Sequence, residues 1–390
     1  DIKNYQMLIN GDWVDASDGG TFDSVNPSTG EIWSRVPEAT EADVNRAVVT
    51  AHEAFTKGPW AKMTPTERGK CLRKLADLLA DQSEGLGRTE SIDTGKMLKE
   101  TRWQAKYIAE FFHFFAGCAD KVSGETLPID KPDMFVFTKR EPLGVVGAII
   151  PWNVPMLLMA LKVAPALVAG NAVVVKSAEE APLAVLRICE IMNRVLPPGV
   201  FNMVSGFGPE CGAPLVAHPL VKKVTFTGSV ETGKIVYRAA AEKLIPVTLE
   251  LGGKSPMIVF ADCDFDKTVS GALTSMRFTR QGQSCTAASR IYVERPIFDR
   301  FVTAMKDAVN GMVMGDPLDE KTDIGTIISQ GQFDKVKGFI AEGTATSGAT
   351  AHVCSRMPED PALKKGLFLQ PVIFTGLTRE SRLVQEEIFG

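Results

Sequence analysis

The chain has 390 residues, 45% hydrophobic and 23% charged, with 34 glycines and 23 prolines. That length exceeds one ordinary core and predicts two or three domains of a soluble globular protein, which excludes disordered and fibrous classes. A net charge of −4, with Lys and Arg scattered instead of clustered, leaves no footprint for nucleic acid and no patch for a membrane surface.

The seven cysteines (71, 118, 189, 211, 263, 285 and 354) are odd in number and widely spaced. No C-x-x-C occurs, and His52, His113, His218 and His352 form no ligand cluster. A disulfide framework or a metal site is therefore not expected, and a reducing, cytoplasmic setting fits. The start at Asp1, without Met or an apolar signal core, reads as trimmed. The uncharged run 144–161 is long enough for a membrane span. Pro151, Asn153 and Pro155 interrupt it, so it reads as a buried strand, a turn and a helix start.

In chain order, residues 8–35 predict short strands and turns around Asn26-Pro-Ser-Thr-Gly30. Thr40-Glu-Ala-Asp43 is a capping box ahead of Val44, Ala47, Val48, Ala51 and Phe55, which share one helical face. Thr64-Pro-Thr-Glu67 repeats the device, with Pro65 at the first helical position. A third helix spans 97–118, its four phenylalanines suiting a core or an interface. Runs 126–129 and 134–138 flank Asp130-Lys-Pro-Asp133 and predict a hairpin whose edges suit pairing with a second subunit; a surface hairpin with no partner is the alternative.

From 144 to 260 the pattern alternates. Strand-like runs at 145–150, 172–175, 200–204, 223–226, 247–249 and 257–260 are separated mostly by helical stretches at 155–169, 182–195, 210–218 and 230–243. Apolar strands alternating with helices predict a parallel, doubly wound α/β sheet with ligands at the carboxyl ends of the strands. A second α/β unit follows, with a helix over 264–280, a turn at Cys285, a strand at 290–294 and a helix from Pro296.

The candidate site residues fall in the turns. Gly206-Phe-Gly208-Pro-Glu-Cys-Gly212 resembles a dinucleotide fingerprint with one residue too many, and an ordinary turn is the plainer reading. Phe226-Thr-Gly228-Ser229 opens a helix whose free N–H groups suit a pyrophosphate. Lys176 and Glu179 end a strand where an adenosine ribose is gripped and a 2′-phosphate repelled; a solvated ion pair is the alternative. Asn153, fixed between two prolines, suits a preorganised donor or simply a turn. Glu250, in an apolar strand and followed by Gly252 and Gly253, suits a general base with a raised pKa, or else a strand-end carboxylate facing water. Cys285, after Gln281-Gly-Gln-Ser284, sits on a turn that exposes a thiol to backbone N–H groups, as a nucleophile requires; buried filling is the commoner fate of a cysteine.

Assembled, these residues resemble the NAD(P)-dependent aldehyde dehydrogenases. The match rests on Pro151-Trp-Asn153, Phe226-Thr-Gly-Ser229, Leu249-Glu-Leu-Gly-Gly-Lys-Ser-Pro256, Gly282-Gln-Ser-Cys285 and Glu386-Glu-Ile-Phe-Gly390. The resemblance implies a cofactor domain over 1–119 and 143–253, an oligomerisation hairpin at 120–142, and a catalytic domain over 254–390. It implies that Cys285 attacks the aldehyde, that Asn153 holds the oxyanion, that Glu250 activates the hydrolytic water, and that Lys162 positions cofactor and moves protons. It further implies NAD, less readily NADP, bound by Lys176, Glu179 and Ser229, with Glu387 at the nicotinamide ribose and Phe389 near the ring. Gly208, Gly212, Phe226, Gly228 and Gly252 join that cofactor set. The partners implied are a small-molecule aldehyde and, in the full-length form, further copies in a dimer or tetramer.

Ser284 stands where many relatives have Cys, and relatives continue past Gly390, so the sequence reads as a fragment or a truncated protein lacking part of its substrate tunnel. Acyl transfer to coenzyme A is the alternative reaction, disfavoured by Glu250; a catalytically silent structural member is the alternative class.

Overall fold

The computed structural model describes residues 2–390. The chain divides into two compact units: residues 1–23, 34–86 and 103–250, and residues 24–33, 87–102 and 251–390.

The first unit is built on a seven-stranded sheet. Val145–Ile149, Ala172–Lys176 and Phe201–Val204 run parallel in that order, and Val221–Gly228 pairs in parallel with the other side of Val145–Ile149. Val247–Leu251 forms one edge; Met7–Ile9 and Asp12–Val14 extend the other edge antiparallel. Registers Ile149↔Lys176 and Phe226↔Ile149 bring the carboxyl ends of three strands level. The strand order reverses beside Val145–Ile149, the position at which a doubly wound sheet opens a ligand crevice. Ala172–Lys176 is buried throughout, as a central parallel strand covered on both faces must be.

Both capping boxes form. Thr40 caps Glu41–Thr56 reciprocally with Asp43, and Thr64 caps Pro65–Asp81 with Glu67. The uncharged run resolves into the Val145–Ile149 strand and a helix, Pro155–Val168, opened by Pro155. Two expectations change. The helix expected over 210–218 is instead a π-turn, Gly208–Gly212, leading into a short α-helix, Ala213–Ala217. Pro209 and Pro214 supply no N–H to a regular ladder there. Val247–Leu251 is also not a continuously buried strand: it lies at the sheet edge and alternates half-buried with exposed residues. The hairpin is reduced to Thr126–Leu127 against Val136–Phe137 and carries an exposed apolar face, Phe135 being 74% accessible.

In the second unit Pro256–Val259 pairs in parallel with Arg290–Val293. Helices Phe265–Met276 and Phe298–Asn310 cover that pair through Val259, Ala272, Phe301 and Met305. Asp264 caps the first helix by accepting the Lys267 N–H. An antiparallel pair, Thr350–Val353 with Val372–Thr375, and the helix Gln330–Ala345 complete the unit; neither was legible in sequence. Segments 24–33 and 87–102, which the family resemblance places in the cofactor domain, group here. Ser24 Oγ donates to Asp93 Oδ1 at 2.9 Å, and the Leu367 N–H donates to the Pro27 carbonyl at 2.9 Å. No helix among the described residues is long and apolar enough to cross a membrane.

Candidate active site

The first unit gathers ten of the expected residues at the carboxyl ends of its sheet or on the helices that follow. Asn153 lies in the bend after Val145–Ile149 and is 7% exposed. Lys162, two turns into the next helix, is buried to the same extent, and its Nζ donates to Thr225 Oγ1 at 3.3 Å. Burial pushes the Lys162 ammonium down to about 8, against the pull of the Glu250 carboxylate and with the help of Lys223. Glu250, expected within an apolar strand, is exposed at the sheet edge.

Lys176 ends its strand 4% exposed and makes a 2.8 Å ion pair with Glu179, in the following loop. Ser229 caps the helix Val230–Ala241, its Oγ accepting the Thr232 N–H at 3.2 Å, while the other first-turn N–H groups have no carbonyl partner within the helix. Phe226 folds its ring against Gly228, where a side chain would collide with it. A Cβ on Gly208 or Gly212 would meet open space, so no contact within the chain requires glycine there.

The cradle fits a dinucleotide. Ser177 Oγ and Thr227 Oγ1 are buried at the ends of two strands flanking Val145–Ile149 and have no hydrogen-bond partner among the described residues. Unpaired hydroxyls beside a helix N-terminus and a Lys–Glu pair are the donor and acceptor set that a ribose and a pyrophosphate use.

The second unit holds Gly252, Cys285, Glu387 and Phe389. Cys285 is exposed, and none of the seven cysteines is in a disulfide. The turn that carries it is unusual in its backbone: Arg277 (φ 60°), Gln281 (φ 55°) and Gly282 (φ 72°) are all left-handed. Ser284 Oγ lies 3.1 Å from Thr286 Oγ1, so the residue before the thiol is tied to the one after it. Glu387 accepts the Gly253 N–H at 3.0 Å and occupies the space beside Gly252. Phe389 takes a left-handed conformation (φ 64°), and Gln332 Nε2 donates to its carbonyl at 2.7 Å. A cavity of about 470 Å³ in this unit is lined by Lys254, Gly282, Ser284, Arg290, Glu387 and Phe389, among others. Burial pushes the Lys254 ammonium down to about 8, with Arg290 adding to the shift and Glu387 opposing it.

Sequence reasoning missed Thr225, Lys254 and Arg290. Lys254 and Thr225 stand inside or beside motifs already noted, but only the fold shows that one supports Lys162 and the other lines a cavity.

Comparison with known proteins converges on one family. The sequence profile described as "Aldehyde dehydrogenase family" matches residues 13–390. A (Z)-2-((N-methylformamido)methylene)-5-hydroxybutyrolactone dehydrogenase from Acinetobacter baylyi is 45% identical over 340 residues, 87% of this chain and 69% of that protein. Retinaldehyde dehydrogenase 3 from Mus musculus is 42% identical over 394 residues, covering 100% of this chain and 76% of the relative. Among solved structures, the NAD+ complex of an aldehyde dehydrogenase from Bacillus cereus matches with a TM-score of 0.95 at 39% identity. That match covers 100% of this chain and 78% of the other. A betaine aldehyde dehydrogenase from Staphylococcus aureus in complex with NAD+ also scores 0.95 at 39% identity, covering 99% and 76%.

Proposed function

This chain belongs to the aldehyde dehydrogenase family, whose reaction is NAD-dependent oxidation of an aldehyde, and from that premise we propose that Cys285 is the nucleophile, Asn153 the oxyanion donor and Glu250 the base. The Cys285 thiolate adds to the carbonyl carbon, forming the C–S bond of a thiohemiacetal. The charge then rests on the former carbonyl oxygen, which the Asn153 side-chain amide and the Cys285 N–H stabilise; one such donor is worth about 10²–10³ in rate. NAD, when bound, supplies the acceptor for the hydride that leaves as this carbon becomes a thioester carbonyl. Glu250 takes a proton from water as the water attacks the thioester, and C–S cleavage returns the thiol and releases the carboxylic acid. The exposure of Glu250 suits a base that must meet water.

Lys176, Glu179, Ser229, Phe226 and the glycines Gly208, Gly212, Gly228 and Gly252 form the proposed cofactor set, with Glu387 holding the nicotinamide ribose and Phe389 beside the ring. The Glu179 carboxylate favours NAD over NADP because it would repel a 2′-phosphate. Lys162, buried against Thr225, positions the cofactor and relays protons. The exposed apolar hairpin supports a homo-oligomer, and seven cysteines outside any disulfide support a cytoplasmic setting.

The observation that carries the reading is the thiol itself: among the described residues Cys285 is the only exposed cysteine, and it is delivered by a turn rich in left-handed residues. NADH formation across a panel of aldehydes tests it. Turnover that Cys285→Ala abolishes is expected; a Cys285→Ala variant with full activity would sink the mechanism.

A further inference from the structure

The Cys285 turn begins with a conformational cost. Left-handed backbone is disfavoured for every residue but glycine, and Arg277 and Gln281 both adopt it within five positions. Such geometry persists only where the surroundings over-determine it.

The surroundings are a buried polar cluster built on segment 90–101. Arg280, between the two left-handed residues, forms an ion pair with Glu100, the two side chains being 13% and 9% exposed. The Met97 N–H donates to the Thr279 carbonyl at 3.1 Å. Gln283 spans the turn: its Nε2 donates to the Arg280 carbonyl at 3.2 Å, and its Oε1 accepts the Ile328 N–H at 3.1 Å. Behind Glu100 lies a second ion pair, Glu90 with Lys96, both side chains almost completely buried. Ser91 Oγ donates to the Lys96 carbonyl at 2.6 Å and holds the backbone of that pair. Lys96 feels the charges of both Glu100 and Arg280, so the two ion pairs lie close together.

Stability alone is a poor reason for such a cluster. Desolvation offsets most of the attraction in a buried ion pair, and well-packed apolar replacements are often as stable or more so. What directional, charge-assisted bonds provide is a defined orientation, here at the residue five positions before the thiol.

We propose that Glu100 and Arg280, backed by Glu90 and Lys96, are positioning residues that hold the 277–283 backbone in the conformation that presents Cys285. The inference rests on Cys285 being the nucleophile. It adds a specific cause of that thiol's reactivity, since a displacement of about 1 Å at a reacting group can cost about 10²-fold in rate.

The test measures the rate of Cys285 alkylation by iodoacetamide, followed on its peptide by mass spectrometry, alongside kcat and the NAD dissociation constant. The variants are Arg280→Met, Glu100→Gln and the swap Glu100→Arg/Arg280→Glu. Arg280→Met and Glu100→Gln are expected to lower both the alkylation rate and kcat by about 10- to 100-fold. The NAD dissociation constant should stay within about twofold, and the swap should recover part of the lost reactivity. Wild-type alkylation by the folded variants, whatever their melting temperature, would show a merely structural pair and overturn the proposal. So would a parallel loss of NAD affinity, or failure of both single variants to fold, because each places the effect outside the turn. A separate control separates the two claims: if Cys285→Ala remains active, the nucleophile assignment fails, irrespective of Arg280 and Glu100.

Discussion

The Glu387 carboxylate accepts the Gly253 N–H at 3.0 Å and fills the space in which a side chain on Gly252 would stand. Two residues far apart in sequence thus share one small volume, and the pair of glycines admits the carboxylate to the backbone. Gly252→Ala should displace Glu387 and, if that carboxylate holds the nicotinamide ribose, reduce kcat/KM for NAD at least tenfold, about 1.4 kcal/mol. Steady-state kinetics with varied NAD checks this; unchanged kinetics would remove Glu387 from the cofactor site.

Glu179 should govern the choice between the two nicotinamide dinucleotides. Its 2.8 Å pair with Lys176 leaves a carboxylate at the end of the Ala172–Lys176 strand. Glu179→Gln removes the negative charge while keeping the shape, so the ratio of kcat/KM for NADP to that for NAD should rise by roughly tenfold or more. An unchanged ratio would place the ribose elsewhere.

Much of this architecture was legible because its signals are local. Thr40 with Asp43 and Thr64 with Glu67 form their capping boxes from side chains three residues apart, and the apolar runs at 145 and 172 are central strands in any packing. What the sequence concealed depends on distant partners. Glu250 sits in an apolar run, yet only the sheet order shows that its strand lies at an edge and exposes it. Gln330–Ala345 carries Gly331, Gly338 and Gly343, and Gly343 is required by the close approach of Leu383 and Phe374, not by its own helix. Likewise, Glu100 gives no hint in sequence that it meets Arg280, 180 positions on.

Lys162 makes a prediction about pH with a definite sign. Its ammonium titrates at about 8 in the folded protein, below its ordinary 10.5, chiefly because it is buried. Between those values the unfolded chain binds a proton that the folded chain does not, so this residue's contribution to stability rises with pH across that window. Below pH 8 the burial cost is fully present. The melting temperature of the wild type relative to Lys162→Met should therefore move upward between pH 8 and 10.5, at roughly 2–4 °C per kcal/mol for a unit of this size. Using the difference cancels Lys243 and Lys254, which burial also pushes down to about 8. A difference that is flat or falls with pH would contradict the burial of this charge.

Glu250→Gln should separate the two halves of the reaction. Thioester formation needs no base at this position, whereas hydrolysis does, so rapid mixing should show a burst of about one NADH per site followed by a steady rate about 10²–10⁴-fold below wild type. Loss of the burst together with the steady rate would assign Glu250 to the first half. Restoration of fast turnover by added coenzyme A would show the thioester waiting for a nucleophile.

The most direct test of the account is the mass of the enzyme during turnover. Acid quench in the presence of NAD and an aldehyde, followed by peptide mapping, should show the acyl group of that aldehyde on the peptide containing Cys285. The adduct should accumulate further in Glu250→Gln and be absent in Cys285→Ala. An adduct on another residue, or oxidation of the aldehyde by Cys285→Ala at the wild-type rate, would contradict the central claim.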